Sequence, residues 1–419
     1  MLYYRNIIPS LLIIPFCCLW TLAAGNAENA PTGTTAVKPM SSLQYAVKAP
    51  AEKPTKAKQH KVDQLSVKAL DWLKANQESN GSWSPHADQE LVTALAMLAF
   101  LSRGETHTSK RYGYTIVKGL HWLVENEKQK GIGNKHNEKK AKNQIEPKEN
   151  DHISISGMTK AEAVGSVTNK ITSVVIAWAL SEYYRVTGLP FLKAPMEKSL
   201  ARIISNQRPD GSFSYSNGSG TPDWQTQFNA LNFLALRAGY WAKADCANLL
   251  QSLQKAERFL VDPSLQDEQY AISEAIEQDA FAAAAAYYLS ALVAKNHSLR
   301  SQRIKELFAD YQPEWQGCDT PLGISGEWYL MAMAKFYSGK DAYKQWYRKF
   351  GQLQVKHQQE DGHWNSPPND RYAGHAAEPY LNTALQILAF QPFVQVRMNR
   401  SPVQSFENLS ERSDVEILD

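Results

Sequence analysis

Trp72-Leu73-Lys74-Ala75-Asn76-Gln77-Glu78-Ser79-Asn80-Gly81-Ser82-Trp83 decides the fold, because its skeleton returns along the chain. It recurs as Ile203-x-x-x-Gln207-x-x-x-Gly211-Ser212-Phe213 and as Gln358-x-x-x-Gly362-His363-Trp364, with Gln, Gly and aromatic at one spacing. A weaker copy has Trp122-Leu123, Glu127 in place of Gln, and Gly131. Each copy closes a segment in which an apolar stripe, such as Trp72-Leu73 or Leu120 and Leu123, alternates with Lys and Glu, the pattern of a helix with one wet face. A second pattern follows each copy: Thr93-Ala94-Leu95, Asn229-Ala230-Leu231 and Thr383-Ala384-Leu385, each running on through Leu-Ala, with Ser173 to Leu180 a looser match. These segments are apolar nearly all round, which describes helices enclosed by neighbours.

Outer and inner helices therefore alternate. Two degenerate pairs, Ala244 to Phe259 with Asp279 to Leu289 and Ile304 to Phe308 with Glu327 to Tyr337, bring the hairpins to six. Such hairpins stack into an open superhelix or close into a double ring. An open stack needs polar caps on its terminal repeats, yet here the first and sixth copies are the best preserved. The expectation is an all-α (α/α)6 toroid, a double ring of six helix hairpins.

The 419 residues are 43% hydrophobic and 21% charged, which excludes a fibrous or wholly disordered chain. With 45 Lys and Arg against 42 Asp and Glu there is no basic excess, so nucleic acid is excluded as a partner. Ile7 to Ala24 is an apolar run behind Arg5, followed by small residues at Gly25 and Ala27, and residues 1–27 read as a signal peptide. If it stays uncleaved it becomes an anchor, the chain's sole membrane contact. Pro15-Phe16 before Cys17 rules out a lipoprotein. Residues 28–62 are rich in Ala, Pro, Thr and Lys and read as a disordered linker. The toroid is expected over 63–390 with a polar insertion near 134–164, and 391–419 as a flexible tail. Cys246 and Cys318 either pair, as an exporting compartment permits, or stay as buried thiols.

The Leu-x-x-x-Gln-x-x-x-Gly-Ser-Trp form resembles the QW repeat of the squalene cyclase and prenyltransferase alpha-alpha toroid superfamily, over Val62 to Phe390. In that family the Gln and the aromatic brace the turn between outer and inner helices, so Gln77, Trp83, Gln207, Gln358 and Trp364 are structural. The resemblance places function in the central cavity, at the starts of the inner helices. Squalene-type cyclases carry an acidic Asp-x-Asp-Asp-Thr stretch there; its nearest counterpart is Glu277-Gln278-Asp279-Ala280-Phe281, which lacks the fourth acid and the Thr. The resemblance thus makes Asp279, with Glu277, the catalytic candidates. The zinc set of the protein prenyltransferases is replaced by Ser325-Gly326-Glu327 and Glu378, so no metal and no cofactor is expected. Complement-type thioester chemistry is excluded because no Glu-Gln follows Gly317-Cys318-Asp319.

Polar and aromatic residues at the inner-helix starts give the ligand-binding candidates: Glu90, Trp224, Gln225, Glu327, Trp328, Glu378 and Tyr380. Acids in a first helical turn also complement the helix dipole, so a structural reading stands beside the functional one. The sequence points to an exported terpenoid cyclase or prenyltransferase-like toroid. It would bind an apolar, isoprenoid or extended ligand, or a protein partner, through its cavity. The alternative is a divergent enzyme, either isoprenoid cyclase-like with Asp279 as acid or a polysaccharide-processing enzyme with a carboxylate pair acting on a glycan.

Overall fold

The computed structural model describes residues 56–84, 88–142, 160–214, 222–261, 311–318, 320, 322–338 and 340–390. Among these residues the regular elements are all helical: α1 Lys56–Ala75, α2 Gln89–Ser102, α3 Gly113–Lys142, α4 Lys160–Thr187, α5 Pro190–Ser205, α6 Pro222–Trp241, α7 Leu249–Val261, α8 Gly323–Ser338, α9 Lys340–His357 and α10 Glu378–Phe390. Helix enters the expected linker at Lys56 and enters the polar stretch 134–164 from both ends. The leader, the tail, and the segment with Glu277 and Asp279 lie outside the described residues.

The even-numbered helices are the inner set. Every residue from Leu91 to Ser102 of α2 and from Leu381 to Phe390 of α10 is buried, as is Leu322 to Phe336 through most of α8. Their order in space follows the chain: α2 packs on α4, α4 on α6, and α8 on α10. Helix α10 then packs on α2, joining the last inner helix to the first. The fold is an alpha-alpha toroid. Helices α1, α3, α5, α7 and α9 form the outer layer: α3 packs on α2, α5 on α4 and α6, α7 on α6, α9 on α8, and α1 on α10 and α2.

One joint fastens neighbouring hairpins. Gln77 Nε2 donates to Gly81 O in its own turn (2.9 Å) and to Thr115 O in the next outer helix, α3 (2.9 Å). Gln207 does the same to Gly211 O (3.0 Å) and to Ser252 O of α7 (2.9 Å). Gln358 does it to Gly362 O (2.8 Å) and to Leu65 O of α1 (3.0 Å), so the last hairpin grips the first through the bond used elsewhere in the ring. The glycines are required twice over. Gly81, Gly211 and Gly362 have φ of 101, 95 and 114°, and a Cβ on each would stand 2.6, 2.2 and 2.5 Å from the backbone oxygen of Lys118, Lys255 and Lys68. In the weaker copy Glu127 replaces Gln, and its carboxylate reaches α5 instead, accepting from Ser199 Oγ (3.1 Å) and Arg202 Nη2 (2.8 Å).

The aromatic of each turn ties it to the inner helix. The backbone N–H of Trp83 donates to Thr93 Oγ1 (3.1 Å), that of Phe213 to Asn229 Oδ1 (2.8 Å) and that of Trp364 to Thr383 Oγ1 (3.1 Å). This explains the Thr or Asn that opens three copies of the second pattern. The indole N–H groups of Trp83 and Trp364 donate to Leu73 O (2.7 Å) and Gln354 O (3.1 Å) of the outer helices.

Two substitutions test the joint. Gln358→Ala strips the donor from two carbonyls and should cost roughly 1–3 kcal/mol in urea unfolding, as should Gln77→Ala. A ring left open at its ends would lose stability with Gln77→Ala alone. Trp83→Ala, which empties a fully buried site, should cost about 3–5 kcal/mol.

Candidate functional site

The inner helices bring two aromatic rings together across the ring. Trp178 of α4 and Tyr329 of α8 have centroids 6.0 Å apart and are 5% and 2% exposed. In the described order α6–α4–α2–α10–α8 the helices α4 and α8 are separated by two others, so this contact crosses the ring. Two buried rings thus meet between inner helices that are not neighbours.

Around the starts of α8 and α10 the polar groups are knitted into one network. Asp370, 6% exposed, accepts from the Ile324 N–H (2.7 Å) with Oδ2, and from the Tyr372 N–H (3.1 Å) and Ser366 Oγ (3.3 Å) with Oδ1. Asn382 Nδ2 donates to Ser366 Oγ (2.6 Å), Ser325 Oγ donates to Asn382 Oδ1 (2.8 Å), and Gln386 Nε2 donates to Ser325 Oγ (3.0 Å). A carboxylate only accepts, so Asp370 orients every dipole in this chain.

The ligand-binding candidates separate on this frame. Glu90 sits half-buried in the first turn of α2. Trp224 and Gln225 stand near the start of α6, with side chains outside the described residues. Glu327 is 2% exposed, and its charge helps to raise the pKa of both Tyr311 and Cys318. Three candidates have other roles. Trp328 is fully enclosed, edge-on to Phe350 of α9 (5.7 Å), beside Trp315 (5.7 Å), with its indole N–H on Tyr311 OH (3.3 Å), so its ring is core rather than a ligand platform. Glu378 accepts the backbone N–H groups of Ser366 and Gly374 (both 2.6 Å), which ties down the loop before α10. Tyr380 packs on Trp72 of outer helix α1 (5.1 Å).

Trp72 is the hub of the seam between the sixth and first hairpins. Its indole N–H donates to Asp361 Oδ2 (2.9 Å), and its ring lies 4.9 Å from that of His363. Burial pulls the Asp361 pKa up, but hydrogen bonds from His363 and Trp72 outweigh it and hold the carboxyl below its ordinary range.

Beside the seam, Asp88 caps α2 in the left-handed region (φ 52°), with Oδ2 3.9 Å from His375 Nδ1. Burial raises its pKa, while His375 and Arg371 pull it down by less. Cys246 and Cys318 are separate free thiols, each half-buried rather than fully buried as expected from the sequence. Burial first, then nearby carboxylates, pushes Cys246 up to about 11 and Cys318 up to about 12. Among the described residues no three His, Cys, Asp or Glu side chains are grouped to hold a metal ion, and no helix is long and apolar enough to cross a membrane.

No protein-family model matches this chain, and no curated protein matches it in sequence. Among solved structures it is similar to a variant of the type II terpene cyclase MstE from Scytonema, in complex with geranylgeranyl dihydroxybenzoate, its substrate. The match covers 81% of this chain and 100% of that one at 12% identity and a TM-score of 0.43. A likeness this slight carries no argument about what this chain binds.

Two outcomes follow from the protonation states. A carboxyl whose folded pKa is raised contributes its full stability only at low pH and loses it as pH rises through the folded value. Asp88→Asn, which cannot ionise and tolerates the left-handed region, should therefore raise the thermal midpoint at pH 7, with the gain fading on acidification. Peptide mapping after iodoacetamide at pH 8 should find Cys246 and Cys318 labelled slowly in the native protein and fast in urea, since the thiolate is the nucleophile.

Proposed function

We propose that this protein is an exported terpenoid cyclase or prenyltransferase-like toroid that holds an apolar or extended ligand against the Trp178 and Tyr329 rings. The observation that carries the reading is the meeting of those two rings from inner helices that are not neighbours. A ring of apolar inner helices offers hydrocarbon surface, and the aromatic pair adds to it. Export rests on residues 1–27.

A second reading, a divergent enzyme, draws support from Asp88, because a carboxyl whose pKa burial raises is better suited to general-acid chemistry than an exposed one. Asp279, or a carboxylate pair acting on a glycan, would then supply the remaining chemistry.

Native mass spectrometry of protein recovered from an exporting host, set beside its denatured mass, tests the first reading. An apolar molecule that leaves on denaturation is the expected result. A ring at its unmodified mass that also takes up neither added geranylgeraniol nor squalene would overturn it. Conversion of an added isoprenoid by the wild type and not by Asp279→Asn would establish the second reading.

A further inference from the structure

Arg237 stands one turn before the end of inner helix α6 and is 7% exposed. Its guanidinium lies 4.5 Å from the Trp241 ring centroid and 5.8 Å from that of Phe233. Nε is sealed from solvent and has no hydrogen-bond partner among the described residues. Cation–π contact stabilises the charge but satisfies none of its N–H donors. A buried donor left in that state is costly, and natural structures pair it.

The fold does not require a cation there. Matching Asn229-Ala230-Leu231 to Thr93-Ala94-Leu95 puts Arg237 in the place of Leu101 in α2. Nor does Arg237 serve the end of its own helix, since it bonds none of the last carbonyls of α6. The same match puts Ser181 of α4 in that place, on the helix packed against α6. Ser181 is 0% exposed, and its hydroxyl also has no partner among the described residues. Two unused donors thus occupy the same level of adjacent inner helices. A further buried cation, Lys335, 5% exposed, lies in the last turn of α8 at the same end of the ring.

We propose that Arg237 and Ser181 form a binding site for an oxyanion, the phosphate or carboxylate group of a small molecule, at the C-terminal ends of the inner helices. Trp241 packs on the guanidinium, and an Arg fork can grip two oxygens at once, which suits it to phosphate and carboxylate. The site lies at the opposite end of the ring from Asp88 and Glu378, and it stands whether or not an apolar ligand rests on the aromatic pair.

The test is the thermal midpoint of the full chain against rising inorganic phosphate, pyrophosphate or acetate, with sodium chloride matching the ionic strength. In the wild type the midpoint should climb with at least one oxyanion and not with chloride. The phosphate and acetate series then show which oxygen acid fits. Arg237→Met should be at least as stable as the wild type without added oxyanion and should not climb. Arg237→Lys keeps the charge but not the fork, and should need at least tenfold more oxyanion for the same climb. A flat wild-type series, an equal climb in Arg237→Met, or a loss of stability in Arg237→Met without oxyanion would each overturn the site.

Discussion

The ring depends on a primary amide with two N–H groups on one nitrogen. At Gln77, Gln207 and Gln358 one N–H closes the turn inside a hairpin and the other holds the neighbouring hairpin, so the order within a repeat and the order between repeats rest on the same atom. A shorter Asn would not span both carbonyls, and a carboxylate cannot donate to either. Glu127 shows the second limit: with an acid in that place the contact becomes an ion pair to Arg202 and shifts to a different part of the next outer helix. The glycine beside each amide belongs to the same joint, because only a bare Cα lets the turn lie against the backbone of the next helix.

From this joint the inner ring inherits its angles, and the chemistry inherits its positions. Trp178 and Tyr329 meet because α4 and α8 are held across the ring from each other. Asp370 reaches the first turn of α8 because the sixth turn is pinned by Gln358, Trp364 and Glu378. The seam adds aromatic contacts to this joint. His363 takes the place of Ser82 and Ser212, and Asp361 turns its second oxygen to Trp72.

The architecture was legible because its signals are local. A glycine with positive φ, a Gln four residues before it and an aromatic two after it are written into a few consecutive positions. The Thr or Asn caps were equally visible as letters, but their partners lie 10, 16 and 19 residues away, so spacing alone hid their role. The site was far less legible. Trp328 stands beside Glu327 and reads as a ligand face, yet successive residues on a helix point about 100° apart. One step along, Tyr329 meets Trp178 across the ring while Trp328 packs on α9. Arg237 follows Ala235 and Leu236 like any residue at a solvated helix edge, and its burial depends on neighbours contributed by other parts of the chain.

The bond between Gln358 and Leu65 spans 293 residues of chain. At a synthesis rate of about 5–20 residues per second, α1 waits roughly 15–60 s between its own emergence and that of its last partner. Through that interval Trp72, whose ring packs against Tyr380 and His363, has neither ring to cover it. A nascent chain in this state presents one unfinished apolar edge, the feature that holdase chaperones bind and that seeds aggregation when they are scarce. Closing the circle makes the folded ring self-capping, and it also makes the last hairpin to be synthesised the one on which the first depends.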